Sequence, residues 1–362
     1  MFLDARGRGS DGYDRPQLTL SVCVPTFNRP VLVQRAIASI VQAVSGRERE
    51  VEIVVSDNSP DVSEQACRQA LEAWEGPSLY VGNPQNVGIS ANFNECIARA
   101  SGRYVLFVCD DDRLLPGAVP AILDALADRD QPDRVILFGV DAVDAAGRVL
   151  RRHEFQNDVS LGARGALYSL LSDNRFALFP GVVVSRDAYA AVGPFDAGLG
   201  NATDIEMWVR LFSRYGVRCV PRTISAYTAH ADSATQSTAF DADAVKKLME
   251  IFERARNAGV LSAKTINRCE VRYIHSIILA TAFLDLRAGD LPEARKKMAL
   301  FDLPSVRALG PSATWLPVRL IFSVLVRCPS AFVGPLMWWL NRLEVVRRVR
   351  GSRGHGRRRL PA

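Results

Sequence analysis

The chain has 362 residues, 48% of them hydrophobic and 23% charged, with a formal net charge of +6. This balance excludes a disordered or fibrous chain, and the length suits two domains or one large domain with an appendage. Seven cysteines (Cys23, Cys67, Cys96, Cys109, Cys219, Cys269, Cys328) are scattered through the sequence without a C-x-x-C pair. They exclude a small disulfide scaffold and read as reduced thiols in a cytosolic protein.

Residues Met1 to Pro16 are rich in Gly, Asp and Arg and hold no apolar stretch, which reads as a flexible leader rather than a signal peptide or membrane span. From Leu18 to Val140, short β-rich runs alternate with helical periodicity. Strands are expected at Leu18–Val24, Val51–Ser56, Leu79–Val81, Tyr104–Cys109 and Val135–Val140. Helices are expected over Val31–Val44, Val62–Trp74, Asn92–Ala100 and Pro116–Ala127. Strands this apolar are covered on both faces, so the pattern predicts an α/β fold with a mostly parallel sheet flanked by helices. Ligands then collect at the carboxyl ends of the strands.

Those ends carry polar loops: Pro25-Thr26-Phe27-Asn28-Arg29, Ser56-Asp57-Asn58-Ser59 and Asp110-Asp111-Asp112. Adjacent carboxylates repel and lose hydration when partly buried, so three in a row call for a cation. An all-oxygen cluster suits a hard divalent ion such as Mg²⁺ or Mn²⁺, held together with a diphosphate. A solvated turn that caps the next helix is the structural alternative.

Further along, Gly165–Leu171 reads as helix, Phe179–Ser185 as strand, and Asp204–Tyr215 as helix with Gly216 at its C-terminal cap. Ala242 to Phe301 is helical, with a break at Gly289–Pro292. Ala313 to Leu343 is apolar but cut by Arg319 and Arg327, and its longest uncharged stretch, Cys328–Leu340, is too short to span a bilayer. Trp338 and Trp339 followed by eight arginines between Asn341 and Ala362 suit a segment lying on an anionic membrane surface. That tail carries a net charge of +7, which leaves the other 340 residues near neutral, and it lacks the interleaved aromatics of a nucleic-acid binder. No nucleic-acid partner is expected. A packed helical segment followed by a basic tail is the plainer reading.

Four motifs in order carry a family resemblance: Val22-Cys-Val-Pro-Thr-Phe-Asn-Arg29, Glu52-Ile-Val-Val-Ser-Asp-Asn-Ser59, Asn86-Val-Gly88, and Ala100-Ser-Gly-Arg-Tyr-Val-Leu-Phe-Val-Cys-Asp-Asp-Asp112. Together they resemble the family 2 glycosyltransferases over roughly Leu18 to Ser237. The resemblance implies the GT-A fold, a nucleotide-diphosphate sugar donor and a divalent metal, Mg²⁺ or Mn²⁺. It places Pro25, Thr26 and Asn28 on the nucleotide, Asp57 on the base, Asn86 and Gly88 near the donor, and Asp110 and Asp111 at the diphosphate. Asn86 and Gly88 are equally at home in a plain turn. Asp110 and Asp112 would hold the metal with His230, although a histidine in a polar loop is ordinarily only solvated.

The segment Val192–Leu211 resembles the family's acceptor segment, which makes Asp204 the general base of an inverting transfer; Glu206 is its rival and helix capping the plainer role. Ser56 and Thr203 stand where many relatives are acidic. The motif wording is nearest to transferases that add rhamnose or dideoxyhexoses to O-antigen-type chains, which implies a saccharide or lipid-linked saccharide acceptor and peripheral attachment to the cytoplasmic face of the inner membrane.

The implied division is a leader at 1–16, a GT-A domain at 17–240, a helical appendage at 241–310, a membrane-facing segment at 311–343 and a basic tail at 344–362. A sugar nucleotidyltransferase would also need a carboxylate-bound metal, but Pro25–Arg29 lacks the glycines of its phosphate loop. An inactive sugar-nucleotide-binding scaffold has no need of both Asp110–Asp112 and Asp204.

Overall fold

Strand β1 (Leu20–Thr26) is buried along its whole length because it lies in the middle of a sheet covered on both sides. Leu20, Val22 and Val24 enter one hydrophobic core and Cys23 the other. This is the period-two alternation that a doubly covered strand hides inside a continuous apolar run. The computed structural model describes residues 18–127, 132–173, 175–228 and 240–327.

The chain alternates β1, α1 (Pro30–Ala43), β2 (Val51–Asp57), α2 (Pro60–Leu71), β3 (Ser78–Gly82), α3 (Ile89–Arg99) and β4 (Tyr104–Phe107). It continues through β5 (Arg113–Leu114), α4 (Ala118–Ala127), β6 (Val135–Val143), β7 (Val149–His153), β8 (Val159–Leu161), α5 (Ala163–Ser172), β9 (Val182–Ser185), α6 (Arg186–Val192), α7 (Thr203–Tyr215) and β10 (Val217–Thr228). The sheet order is β3-β2-β1-β4-β9-β6-β10-β5, with β7 beside β6 and β8 beside β10. The first four strands are parallel as expected, but β9 runs antiparallel between β4 and β6, so the sheet is mixed. An apolar run such as Val182–Ser185 carries no sign of its own direction, which is why its pattern fits either sense.

One face of the sheet packs on α1 and α4 through Val33, Ile37, Ile40, Val119 and Ile122. The other packs on α3, α5 and α7 and continues without a break into α8 (Ala242–Asn257), α9 (Ala263–Ala288), α10 (Leu291–Ala299), α11 (Pro304–Ala308) and α12 (Leu316–Leu325). The helical run expected over 242–301 breaks at Gly289 as anticipated, where the left-handed glycine closes α9 and Asp290 caps α10. It also breaks at 258–262, where Gly259 has φ +67° and the Ser262 side chain caps α9 by accepting the Thr265 N–H.

At the end of β1 away from the strands' carboxyl termini, the buried Glu52 carboxylate accepts hydrogen bonds from the Ser21 hydroxyl, the Ser101 N–H and hydroxyl, and the Gly102 N–H. It joins β1 and β2 to the turn before β4. A Cβ on Gly102 would stand 2.7 Å from the Ser21 nitrogen, so the approach needs glycine.

Candidate active site

The parallel register of β1 on β2 sets Thr26 beside Asp57, and β4 on the other flank of β1 delivers Cys109–Asp112 to the same edge. Residues far apart in sequence are therefore gathered at the carboxyl ends of three adjacent strands.

At the β2 end, Asp57 is fully buried. Its Oδ1 accepts the Ser59 N–H at 2.8 Å and the Ser59 hydroxyl at 3.0 Å, and its Oδ2 accepts the Tyr80 hydroxyl at 3.0 Å. Burial and the neighbouring Asp57 push the Tyr80 hydroxyl pKa up. Asn28, with φ +56°, turns the β1–α1 loop so that its N–H reaches the Ser59 hydroxyl. Asn is among the few residues that tolerate this left-handed conformation. Beyond it, the Asn58 side-chain amide donates to Asn86 Oδ1 at 3.0 Å and the Gly88 carbonyl at 3.3 Å. Asn83 donates to Ser56, Asn58 and Asn92, and Asn92 to the Thr26 carbonyl. This amide ladder fixes the Asn86–Gly88 turn against β1, and Asn86 and Gly88 themselves are exposed.

At the β4 end the three aspartates divide their work. Asp110 is buried, accepting the Thr26 hydroxyl at 2.9 Å on one oxygen and Arg29 Nη1 at 3.0 Å on the other. Burial and Asp111 nonetheless raise its pKa against the opposing pull of Arg29 and Thr26. Arg29 Nη1 also lies 3.2 Å from Asp111 Oδ2. Asp112 is buried, accepts the Thr228 N–H at 3.3 Å from the end of β10, and has its pKa driven well up by burial and by Asp111. Ligand atoms of Cys109, Asp111 and Asp112 lie within 4.8 Å of one another.

This donor set fits a hard divalent ion. Burial, followed by the fields of Asp112, Asp111, Asp110 and Asp204, pushes the Cys109 thiol pKa well up, so the thiol stays neutral and the charge at the site comes from carboxylates. Buried carboxylates whose charged forms are disfavoured gain most from an added cation.

Asp204, at the start of α7, is half-buried and accepts the Ile205 N–H at 2.7 Å. Burial raises its pKa to about 6 against that hydrogen bond, in the range that suits a general base near neutral pH. Its charge helps to raise the pKa of Cys109 in the aspartate loop and of Tyr273 on α9.

The rival Glu206 is committed elsewhere. It is 1% exposed and paired with Arg210 at 2.8 Å and Arg254 at 3.0 Å. Arg210 also donates to the carbonyls of Val192, Gly193 and Pro194, and Arg254 to Asp196, which fixes the turn before α7.

Among the expected site residues, Pro25, Thr26, Asn28, Asp57, Asn86, Gly88, Asp110, Asp111 and Asp112 lie on one connected edge, and Asp204, on α7, is near enough for its charge to act on Cys109. His230, residues 1–16, the apolar stretch Cys328–Leu340 and the basic tail lie outside the described residues. Sequence reasoning does not single out Arg29, Tyr80, Thr228 or Arg254 for this site. Arg29 stands inside a quoted motif, but nothing local shows that it reaches 81 residues along the chain.

A mixed sheet flanked by helices, with polar loops and an aspartate loop gathered at the carboxyl edge of its parallel strands, has the GT-A fold. The sequence model described as glycosyl transferase family 2 matches residues 21–189 of the chain. It is 29% identical over 214 residues to the uncharacterized protein MT1568 of Mycobacterium tuberculosis, covering 57% of this chain and 66% of that protein. It is also 29% identical over 197 residues to the GalNAc(5)-diNAcBac-PP-undecaprenol beta-1,3-glucosyltransferase of Campylobacter jejuni, covering 53% of this chain and 59% of the relative. The chain thus spans less than two thirds of either relative. In fold it is similar to Staphylococcus aureus TarS 1–349 in complex with UDP-GlcNAc, with a TM-score of 0.59 and 16% identity over 85% of this chain and 88% of that one.

No helix among the described residues is long and apolar enough to cross a membrane.

Proposed function

We propose that the chain transfers a sugar from a nucleoside-diphosphate donor to a saccharide or lipid-linked saccharide acceptor in surface polysaccharide assembly, with inversion at the anomeric carbon and dependence on Mg²⁺ or Mn²⁺. The observation that carries this reading is the cluster of Cys109, Asp111 and Asp112 at the strands' carboxyl edge, where the charge of Asp204, a carboxylate whose pKa of about 6 fits a base, is also felt. The Campylobacter relative, named for transfer onto an undecaprenol-linked oligosaccharide, supports the acceptor class.

In this reading the Pro25–Asn28 loop and Asp57 bind the nucleotide, with the Asn86–Gly88 turn beside the sugar. Asp111 and Asp112 would hold the metal, with Asp110 alongside and His230, known from sequence alone, as a further candidate ligand. A divalent ion held there would supply positive charge against the diphosphate leaving group. Asp204 takes the proton from the acceptor hydroxyl as that oxygen attacks the anomeric carbon, and no covalent intermediate is required. Glu206, held by two arginines, shapes the turn that presents Asp204.

The C-terminal helices supply a surface for lipid. α12 turns Leu320, Ile321 and Val324 outward at 59%, 55% and 61% exposure, and the sequence beyond it leads to Trp338, Trp339 and the arginine tail. This supports peripheral contact with an anionic membrane.

The test is nucleoside-diphosphate release from UDP-, GDP-, dTDP- and CDP-sugars with Mn²⁺, Mg²⁺ or EDTA, using full-length protein and membrane lipid extract. Release from one donor, stopped by EDTA, with an inverted anomeric configuration in the product, is expected. Silence with every donor, or EDTA-insensitive release with retention, overturns the reading.

A further inference from the structure

We propose that Arg29 is the resident counter-cation of the aspartate loop. It holds Asp110 and Asp111 when no metal is bound, yields Asp111 to the metal, and then pairs with the donor diphosphate. The inference rests on the nucleotide-and-metal reading of the site and adds an exchange of cations to it.

The geometry is that of one cation between two acids. A single nitrogen, Nη1, lies 3.0 Å from Asp110 Oδ1 and 3.2 Å from Asp111 Oδ2. The two carboxylates are 8% and 11% exposed and the arginine side chain 27%, so the contact is partly shielded from water and stronger than a surface pair. Asp111 is shared between Arg29 and the Cys109–Asp111–Asp112 set. A divalent ion that takes Asp111 therefore competes with the guanidinium for the same charge. Asp110 has a second donor in Thr26, so it stays anchored when Arg29 moves.

Arg29 directly precedes α1 and follows the loop that carries Pro25, Thr26 and Asn28. The same loop reaches the base end of the site through the Asn28 N–H on Ser59, which in turn bonds Asp57. Once released, the planar guanidinium is at the diphosphate end of the pocket, where a fork of N–H donors matches phosphate oxygens. Metal loading and donor binding are thereby coupled through one side chain, and the coupling must be reciprocal.

The experiment compares wild type, Arg29→Gln and Arg29→Lys by calorimetric titration with Mn²⁺ alone, and with UDP and GDP in saturating Mn²⁺. Arg29→Gln is expected to bind Mn²⁺ alone about tenfold more tightly and the nucleoside diphosphate about tenfold more weakly, with Arg29→Lys between the two. A purely structural role would weaken both ligands together. The proposal is overturned if Arg29→Gln, folded by circular dichroism, binds Mn²⁺ no more tightly than wild type or binds the nucleotide unchanged. If wild type and variants bind neither Mn²⁺ nor either nucleotide, the metal-dependent reading falls and this one with it. If wild type binds both and the opposite shifts are missing, this inference alone falls.

Discussion

Arg254 on α8 places Nη1 3.0 Å from the Glu206 carboxylate, which is 1% exposed and lies two residues beyond Asp204. Its Nη2 meets Asp196 at 2.6 Å, at the head of the turn leading into α7. A helix that follows the sheet in sequence thus holds the segment carrying Asp204 by charge. Breaking a buried pair on one side ordinarily costs about 3 to 5 kcal/mol, but Glu206 keeps Arg210, so Arg254→Ala should destabilise by about 2 kcal/mol in urea unfolding. Arg254→Lys should recover part of that loss. An Arg254→Ala protein as stable as wild type would show that Arg210 alone satisfies Glu206.

Asp204→Asn should retain donor binding and lose about 10² to 10⁴ in kcat. With burial raising the Asp204 pKa to about 6, the wild-type rate should rise with pH through that value, because the base works only when deprotonated. The stability effect has the opposite sign. The folded protein holds this proton more tightly than the unfolded chain, so the contribution of Asp204 is fully present in acid and falls as pH rises through 6. Asp204→Asn should therefore gain in unfolding midpoint relative to wild type at pH 7.5 and not at pH 4.

Asp112→Asn should abolish EDTA-sensitive turnover. Because burial and Asp111 push the Asp112 pKa up, protons and metal compete for it, and Mn²⁺ affinity should increase with pH in wild type. Because burial and Asp111 disfavour the charged form of Asp112, the substitution should also raise the melting temperature in EDTA, more at high pH than in acid. A variant with unchanged Mn²⁺ affinity would move the ligand role to Asp111 and Asp110.

Gly216 closes α7 with φ +68°, and a Cβ there would stand 2.2 Å from the Leu161 carbonyl oxygen. Gly216→Ala should cost about 3 kcal/mol, the sum of backbone strain and a clash with backbone that has no room to yield. Denaturant unfolding reads this directly.

The acidic loop and the strands that feed it are legible in the sequence because apolar runs ending in like charges have few structural explanations. Asp57 and Asn28 are legible as polar residues at strand ends but not as members of a bonded pair of loops, since Ser59 and Tyr80 complete the link only in three dimensions. β10 is not legible. Pro221 and Arg222 interrupt Val217–Thr228, and the strand absorbs them through register shifts against β6, one between Cys219 and Thr223 and the next between Thr223 and Ser225. Period-two reasoning takes such an interruption for a loop. Arg254 is illegible for a plainer reason: a charged residue on a helix looks solvated until its partner, 58 residues earlier at Asp196, is known.

The site is also a timetable for synthesis. Thr26 meets Asp110 across 84 residues, and Asp112 takes its backbone donor from Thr228 across 116. A nascent chain can pair its early parallel strands once β4 has left the ribosome, yet the last aspartate has no donor until β10 follows, and Arg254 reaches Glu206 later still. Contacts this distant close slowly because loop entropy precedes their reward. Catalytic competence should therefore appear at the end of folding, in one step, and chains stopped short of α8 should be compact but inert.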